Sequence, residues 1–414
     1  MRGLAYGAFC WLNRHPGVLR AIGALLRIWP SMAGRFGQAA CADAVKGVLK
    51  RPESFSNTAH EPNMFAGDYI IAMDPGPTYA HDRAVLLSRL NSLNVQGDAD
   101  KEAARLAATL AARTGSAANT AFDLIDDYLI WVTFQAIQPV FGTAADKVAA
   151  GVGGNASDQG LLRQYILEIR YVAGQLLGGG LATLPAQRRA NVAADCLRAR
   201  MTAMRVDIET AWNASMLPAD LERNAVGMAW ISHPVTVQSG ALVVQELLSR
   251  PKTYRSLREM AKQAGATGVW TDCKFRDAVR DHVLELMRFR PVFPLLARNV
   301  PRDTAFETGG RKDAQCHAGG RVGIWSIAAL FDSDAVDDSR RFCPHRKWRD
   351  EELRWLMFGY GDRHCPARHY AVEIITSALI GLLTLPELQL TGRKAITYDG
   401  ALMSRMGIRF ARKA

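Results

Sequence analysis

The sequence predicts a mainly α-helical protein with a small β portion, built as a single domain over residues 1–414. Three observations carry this reading. Long stretches rich in Ala, Leu and Arg run with few helix breakers. One stretch rich in Pro, Gly and Val, Pro291 to Ile327, breaks the helical pattern and reads as irregular β-hairpins. No internal repeat or low-complexity linker divides the chain.

Met1 to Pro30 is mixed apolar and basic. Its best apolar run, Leu4 to Leu12, is too short to cross a bilayer, and Asn13, Arg14, His15 and Pro16 interrupt it. It reads as a first helix with at most a weak touch on a membrane surface, and no transmembrane segment is expected. Arg2 before an apolar run is also the start of an export signal, but the cysteines argue against export. Asp100 to Arg113, Ala121 to Gln138, Leu161 to Leu177 and Arg188 to Trp212 read as long helices. Gly151 to Asp158 and Gly178-Gly179-Gly180 punctuate them. Leu221 to Arg250 reads as an apolar helix of about 45 Å, with Pro234 in its middle. Phe275 to Phe289 and Tyr370 to Leu383 complete the helical set.

Apolar residues make up 49% and charged residues 22%, which suits a globular chain. The seven cysteines are scattered, odd in number and without a Cys-x-x-Cys pair, so a reducing, cytoplasmic setting is expected rather than a disulfide framework. The net charge of +11 is spread along the chain, and no nucleic-acid motif accompanies it. Nucleic acid is therefore not an expected partner.

The chemistry concentrates in FGYGDRHCPARHYA, Phe358 to Ala371. Phe358, Gly361, Arg363 and Cys365 stand at the spacing Phe-x-x-Gly-x-Arg-x-Cys, directly before an apolar helix. The turn glycines let backbone N–H groups point at the sulfur, and the helix start adds a positive dipole end. Both favour a thiolate, which suits a ligand to heme iron, with Arg363 able to pair a heme propionate. Zinc is the rival reading for Cys343, His345, His364, Cys365 and His369, but the paired clips of zinc sites are missing.

This loop resembles the heme loop of the cytochrome P-450 family. The resemblance runs from about Asp74 to the C-terminus, and it implies that family's fold and heme b. Glu285 and Arg288, followed by Pro291-Val-Phe-Pro294, resemble the family's Glu-x-x-Arg helix, and Arg341-Phe342 resembles its Arg-Phe. The resemblance implies a structural triad of Glu285, Arg288 and Arg341 that fixes the path to the loop. Arg298 sits where the family often has a propionate arginine. Asp74-Pro75 and His81-Asp82-Arg83 resemble the family's Asp-Pro-Pro-x-His-x-Arg helix start, which implies that His81 contacts a propionate. Val85 stands where a second propionate arginine is common, leaving Arg83 or Arg89 as replacements. Ala367 replaces a glycine of the family's loop. In Ser56 to Met73, Met64, Phe65, Tyr69 and Ile70 match a segment that covers the substrate pocket.

The strongest departure is in Leu221 to Arg250. The family's central helix carries an acid followed by threonine, which relay protons for O–O cleavage. A gapless count back from Arg250-Pro251 puts Pro234 and Val235 at those positions. His233-Pro234 is similar in type to the Arg-Pro of the fatty-acid peroxygenase branch. His233 is then an acid/base candidate, and Thr236 an alternative relay with water. The implied function is oxidation of a moderately apolar small molecule with dioxygen and electrons from a ferredoxin-type partner. Arg340, Arg341, Arg346, Lys347, Arg349, Arg354, Arg363 and Arg368 would offer that partner a basic face, diluted by Asp350, Glu351, Glu352 and Asp362. A peroxygenase using His233 is the alternative, followed by a heme isomerase or dehydratase and a heme sensor without turnover.

Overall fold

The structure is a computed structural model that describes residues 2–28, 31–32, 35–59, 69–113, 121–141, 159–177, 184–213, 220, 222–308, 313–392 and 394–411. Two short helices, α1 (Arg2–Arg14) and α2 (Pro16–Leu26), open the chain. Pro16 ends the first and starts the second, because proline lacks the N–H that a helix interior needs. Strands β1 (Ser31–Met32) and β2 (Phe36–Ala39) lead to α3 (Ala42–Leu49). Then come α4 (Pro77–Asn91), α5 (Val95–Ala112), β3 (Ala121–Asp123), α6 (Ile130–Ile137), α7 (Gln159–Leu177), α8 (Leu184–Ala203) and α9 (Arg205–Trp212).

The central helix α10 (Gly227–Leu248) follows a π-helical turn over Glu222–Val226. Next are α11 (Pro251–Thr271), α12 (Cys273–Phe289), the strands β4 (Leu296–Asn299), β5 (Thr304–Phe306), β6 (Ala314–Cys316) and β7 (Arg321–Ile324), and the short α13 (Ser326–Ala329). Helix α14 (Arg368–Thr384) and strands β8 (Leu388–Leu390), β9 (Ile396–Asp399) and β10 (Leu402–Phe410) end the chain.

The expected helices therefore form, with two differences. Arg188 to Trp212 is broken at Met204 into α8 and α9. Ala121 to Gln138 begins as a strand and a π-helical turn, Ile125–Leu129, because β10 captures Ala121–Asp123 as an edge. The β portion is larger than Pro291 to Ile327 alone. One sheet runs β1-β2-β7-β4, with β2 and β7 parallel and the other pairs antiparallel. A second runs β3-β10-β8, with β9 also on β10, and β5 pairs with β6.

Helix α10 is buried along most of its length and packs on α6, α7, α12 and α14. Helix α14 lies against α5 and α12. Gly381 makes that packing close: a Cβ there would stand 2.2 Å from the Tyr128 hydroxyl, which donates to Ala378 O at 2.9 Å. Asp272 caps α12 by accepting from Lys274 and Phe275 N–H.

The expected triad is present with a different third member. Arg288 is fully buried, and its Nε and Nη2 each meet a Glu285 oxygen at 2.8 Å. Its Nη1 donates to Leu330 O at 2.9 Å and Ser339 O at 2.8 Å. The second cation on Glu285 is Arg346, at 3.3 Å, with both side chains 3% exposed. Arg341 is exposed and contributes its backbone carbonyl, which accepts from Arg288 and Arg346. Arg346→Ala is expected to cost about 3–5 kcal/mol by stripping a buried carboxylate of a partner. Arg341→Ala should stay within about 0.5 kcal/mol, as for other exposed positions. Urea unfolding of the two variants checks this, and equal losses would restore Arg341 to the triad.

Candidate functional site

The cysteine loop is held from both ends. A 3₁₀ turn, Glu351–Phe358, is capped by Asp350, which accepts from Glu352 N–H at 3.0 Å. Gly359 and Gly361 then adopt φ of +86° and +67°, where a side chain would be strained. These two residues reverse the chain so that Cys365 N–H donates back to Phe358 O at 2.8 Å. Past the cysteine, the Ala367 N–H points at the sulfur, and α14 starts at Arg368. Ala367 sits at φ −95°, an ordinary value, so alanine in place of glycine introduces no backbone strain. Burial pushes the Cys365 thiol up, against the pull of that N–H and of Arg83 and Arg368. A ligated metal ion would reverse the balance, because coordination deprotonates a thiol outright.

Helix α4 clamps the loop from the side. Arg83 Nη1 donates to His364 O at 3.0 Å, and Nη2 donates to His364 Nε2 at 3.0 Å. The other ring nitrogen, Nδ1, faces Gly361 O at 2.8 Å and donates to it. Tyr79 donates to Asp362 O at 3.1 Å, and the Arg363 guanidinium lies 4.6 Å over the Tyr79 ring. His81 does not join this set. It is exposed on α4, so its expected propionate contact is corrected by the helix phase. Arg89 is spent on Val140 O and Pro139 O. Arg83→Ala should leave the fold intact but loosen the sulfur. The ferrous–CO band is expected to move from the thiolate-ligated to the thiol-ligated position, and heme loss to quicken. An unchanged band would reduce Arg83 to a surface contact.

Two arginines await an anion. Arg363 gives Nη2 to Ile71 O at 3.1 Å, while its Nε and Nη1 are buried without a hydrogen-bond partner. Arg298 is 9% exposed on β4 and makes one bond, to Ala297 O at 2.8 Å. Burial, with the nearby Arg363 charge, pulls Arg298 down to about 10. Asp74 lies 3.9 Å from Arg363 and offsets only part of the two charges. Buried cations without acceptors are costly. A dianionic group between them, beside a sulfur ligand, removes that cost, so these residues fit heme with its propionates.

Between Gly227 and Val244, the only residues that are not buried are Ile231, Ser232 and Val235. By helical spacing Thr236 and Ser239 share their face. This is an open face on an otherwise packed helix. His233 lies on the other side. It is 3% exposed, its Nε2 meets Ile130 O at 3.0 Å, and its ring packs edge-on to Phe134. Its Nδ1 is unpartnered, and His233 lines a space of about 10 Å³, room for at most one water, with Pro234, Arg170 and Gln238. The expectation that His233 moves protons on an oxidant is therefore corrected. His233 faces α6, and Ser232 borders the open face.

Burial lowers His233 from 6.5 to about 4. The unfolded chain then binds the extra proton between those values, so this contribution is present above pH 6.5 and is lost as pH falls to 4. The loss is about 3 kcal/mol at full titration. A His233→Gln protein should show a flatter dependence of Tm on pH in that window. An identical slope would mean that the ring titrates normally.

Tyr69 and Ile70 are buried, and the Tyr69 ring packs edge-on to Trp230 of α10 at 5.5 Å. Met64 and Phe65 lie outside the described residues. The basic face is largely neutralised. Arg346 pairs with Glu285, Arg349 with Asp337, Arg354 with Asp281 and Arg368 with Glu352. Arg363 points inward, and Arg340, Arg341 and Lys347 are exposed. The Cys/His residues of the zinc reading face different partners: Cys343 N–H meets Glu285, His345 meets Asp281 and His364 meets Gly361.

No protein-family model matches the chain. Among curated proteins, strychnine-11-hydroxylase of Strychnos nux-vomica is 30% identical over 158 residues, which span 37% of this chain and 30% of that protein. Cytochrome P450 76M5 of Oryza sativa subsp. japonica is 28% identical over 146 residues, 33% of this chain and 28% of that protein. The matched stretches thus span about 30% of these relatives' length. Solved structures cover nearly the whole chain. P450BioI in complex with an acyl carrier protein superposes with a TM-score of 0.74 at 14% identity, over 98% of this chain and 100% of that one. CalO2 gives 0.70 at 18% identity, over 97% of both chains. With this fold, these partial relatives and the loop that presents Cys365, the chain has the cytochrome P-450 fold and resembles that family, whose cofactor is heme b.

Proposed function

We propose that the chain is a heme-thiolate monooxygenase that oxidises a moderately apolar small molecule, using dioxygen and electrons from a ferredoxin-type partner. One observation carries the reading. The Cys365 sulfur receives the Ala367 N–H at the start of α14, in the same site as two buried guanidiniums short of acceptors. Cys365 would be the axial ligand, and Arg298 and Arg363 would hold the propionates. Heme bound there supplies oxygen activation, which thiolate electron donation favours.

The remaining roles belong to the protein. Ile231 and Val235 offer apolar surface on the open face. Ser232 and Thr236 are the hydroxyls placed to hold water there and pass protons from it. Phe358 and Gly361 act by shaping the loop. The seven free cysteines support a reducing, cytoplasmic setting.

A second reading is favoured by a specific feature: Pro234 and Val235 leave the middle of α10 without a carboxylate. Hydrogen peroxide brings its own electrons and protons, so a peroxygenase needs less of a relay. His233 has no part in this version, since it faces α6.

The test is turnover of the purified heme protein on a panel of apolar substrates, with hydrogen peroxide alone or with reduced ferredoxin in air. Product from the ferredoxin arm is expected, and Thr236→Ala should lower it by about tenfold or more. Product from peroxide only would establish the second reading. No product from either arm, with substrate-linked spectral change intact, would point to a heme isomerase, dehydratase or sensor.

A further inference from the structure

Asp74 supplies negative charge to both arginines of the heme site. Burial pulls the Arg298 and Arg363 guanidiniums down, and Asp74 works against that pull on each. Yet its Oδ1 stands 3.9 Å from Arg363 Nη1, beyond hydrogen-bond distance. The carboxylate is held instead by neutral donors on its other side. Oδ1 accepts from the Asn57 N–H at 2.7 Å, and Oδ2 accepts from the Ser56 hydroxyl at 2.5 Å.

These donors tie the two arginines into one frame. Ser56 exchanges both backbone bonds with Asn299, at 2.9 and 3.0 Å, and Asn299 follows Arg298 on β4. The Asn57 side chain donates to Ile71 O and Met73 O at 3.4 Å, and Ile71 O also accepts from Arg363 Nη2. A carboxylate whose task was to neutralise Arg363 would close on Nη1. This one is kept back, and Nη1 stays without a hydrogen-bond partner. An anion that fills that donor must share the guanidinium with Asp74, and two like charges beside one cation repel each other.

We propose that Asp74 is a positioning residue that tunes the heme through its charge: it opposes the propionate on Arg363, which quickens heme loss, and it lowers the reduction potential. This builds on the heme-thiolate reading of Cys365. Reduction adds one electron to the ferric heme, and a fixed negative charge beside the propionate arginines disfavours that electron. Water screens the effect, since the Asp74 side chain is 36% exposed, so the charge limits heme retention without preventing binding.

The test has two readouts on the full-length, heme-loaded protein: the rate of heme transfer from the ferric form to excess apomyoglobin, and the potential found by spectroelectrochemical titration. Asp74→Asn removes the charge and keeps the hydrogen bonds, because Oδ1 still accepts from Asn57 and the amide donates to the Ser56 oxygen. It should slow heme transfer about threefold, as for a partly exposed charge pair, and move the potential to a more positive value. Ser56→Ala keeps the charge and removes one of its bonds, so its potential should stay at the wild-type value. An Asn variant with the wild-type potential, or one that loses heme as fast as the wild type or faster, overturns the proposal. So does a Ser56→Ala protein whose potential rises as far as that of Asp74→Asn, because hydrogen bonding would then set it. Wild type that shows no thiolate-ligated ferrous–CO band overturns the heme-thiolate reading and the proposal together, whereas a thiolate-ligated wild type with an inert Asp74 overturns the proposal alone.

Discussion

The guanidinium of Arg288 is the constraint on which the cysteine loop depends. It carries a charge in a fully buried position, so all of its donors need acceptors. Glu285, one turn back on α12, supplies two oxygens. The remaining acceptors come from the carbonyls of Leu330, Ser339 and Arg341. Phe289 and Phe331 cover its faces at 4.6 and 4.4 Å. These demands pin an irregular stretch of chain to α12 without a strand or helix of its own. Arg346 and the Cys343 N–H, both on Glu285, extend the anchor toward the turn that leads to Cys365. Any other path for residues 330–346 would strand a buried charge.

The opposite situation holds at Arg298 and Arg363. Arg288 has its anion in the chain, whereas Arg363 keeps two buried nitrogens without a hydrogen-bond partner and Arg298 donates to Ala297 O alone among the described bonds. The protein thus stores an electrostatic deficit where the cofactor's carboxylates would lie. Binding that fills the deficit stabilises the folded state by linkage. The same logic covers Cys365, whose burial alone favours the neutral thiol. Heme held by Cys365, Arg298 and Arg363 would relieve both costs, and its binding would then be coupled to folding.

The legible parts of this site were the local ones. Gly359, Gly361, Arg363 and Cys365 act within a few residues of one another, so their spacing in the sequence is their geometry. Glu285 and Arg288 are one helical turn apart and are legible for the same reason. The third triad member was not. Arg341 and Arg346 lie in one basic stretch, and the path of an irregular backbone decides which reaches Glu285. His81 failed through helix phase: two residues further along α4, about 200° round the helix, Arg83 faces the loop. The membership of β3 in a sheet was hidden because its partner, β10, lies near the other end of the chain.

In the central helix, Val235, which the gapless count puts at the threonine position, borders the open face, and Pro234, at the acid position, does not. The error was to assign the missing chemistry to the nearest titratable side chain. Periodicity separates the two groups: positions 232, 235, 236 and 239 share a face, while 233, 234 and 237 share another. The proline therefore loosens the backbone on the packed side, beside His233. The open side keeps only hydroxyls. Ser232 Oγ already donates to Met228 O at 2.5 Å and Ser239 Oγ to Val235 O at 2.8 Å. A hydroxyl bound in this way accepts from water but must rotate before it donates. Any proton delivered along this face then waits on hydroxyl rotation and water, where a carboxylate could deliver one directly. That constraint makes the choice of oxidant the central chemical question for this chain.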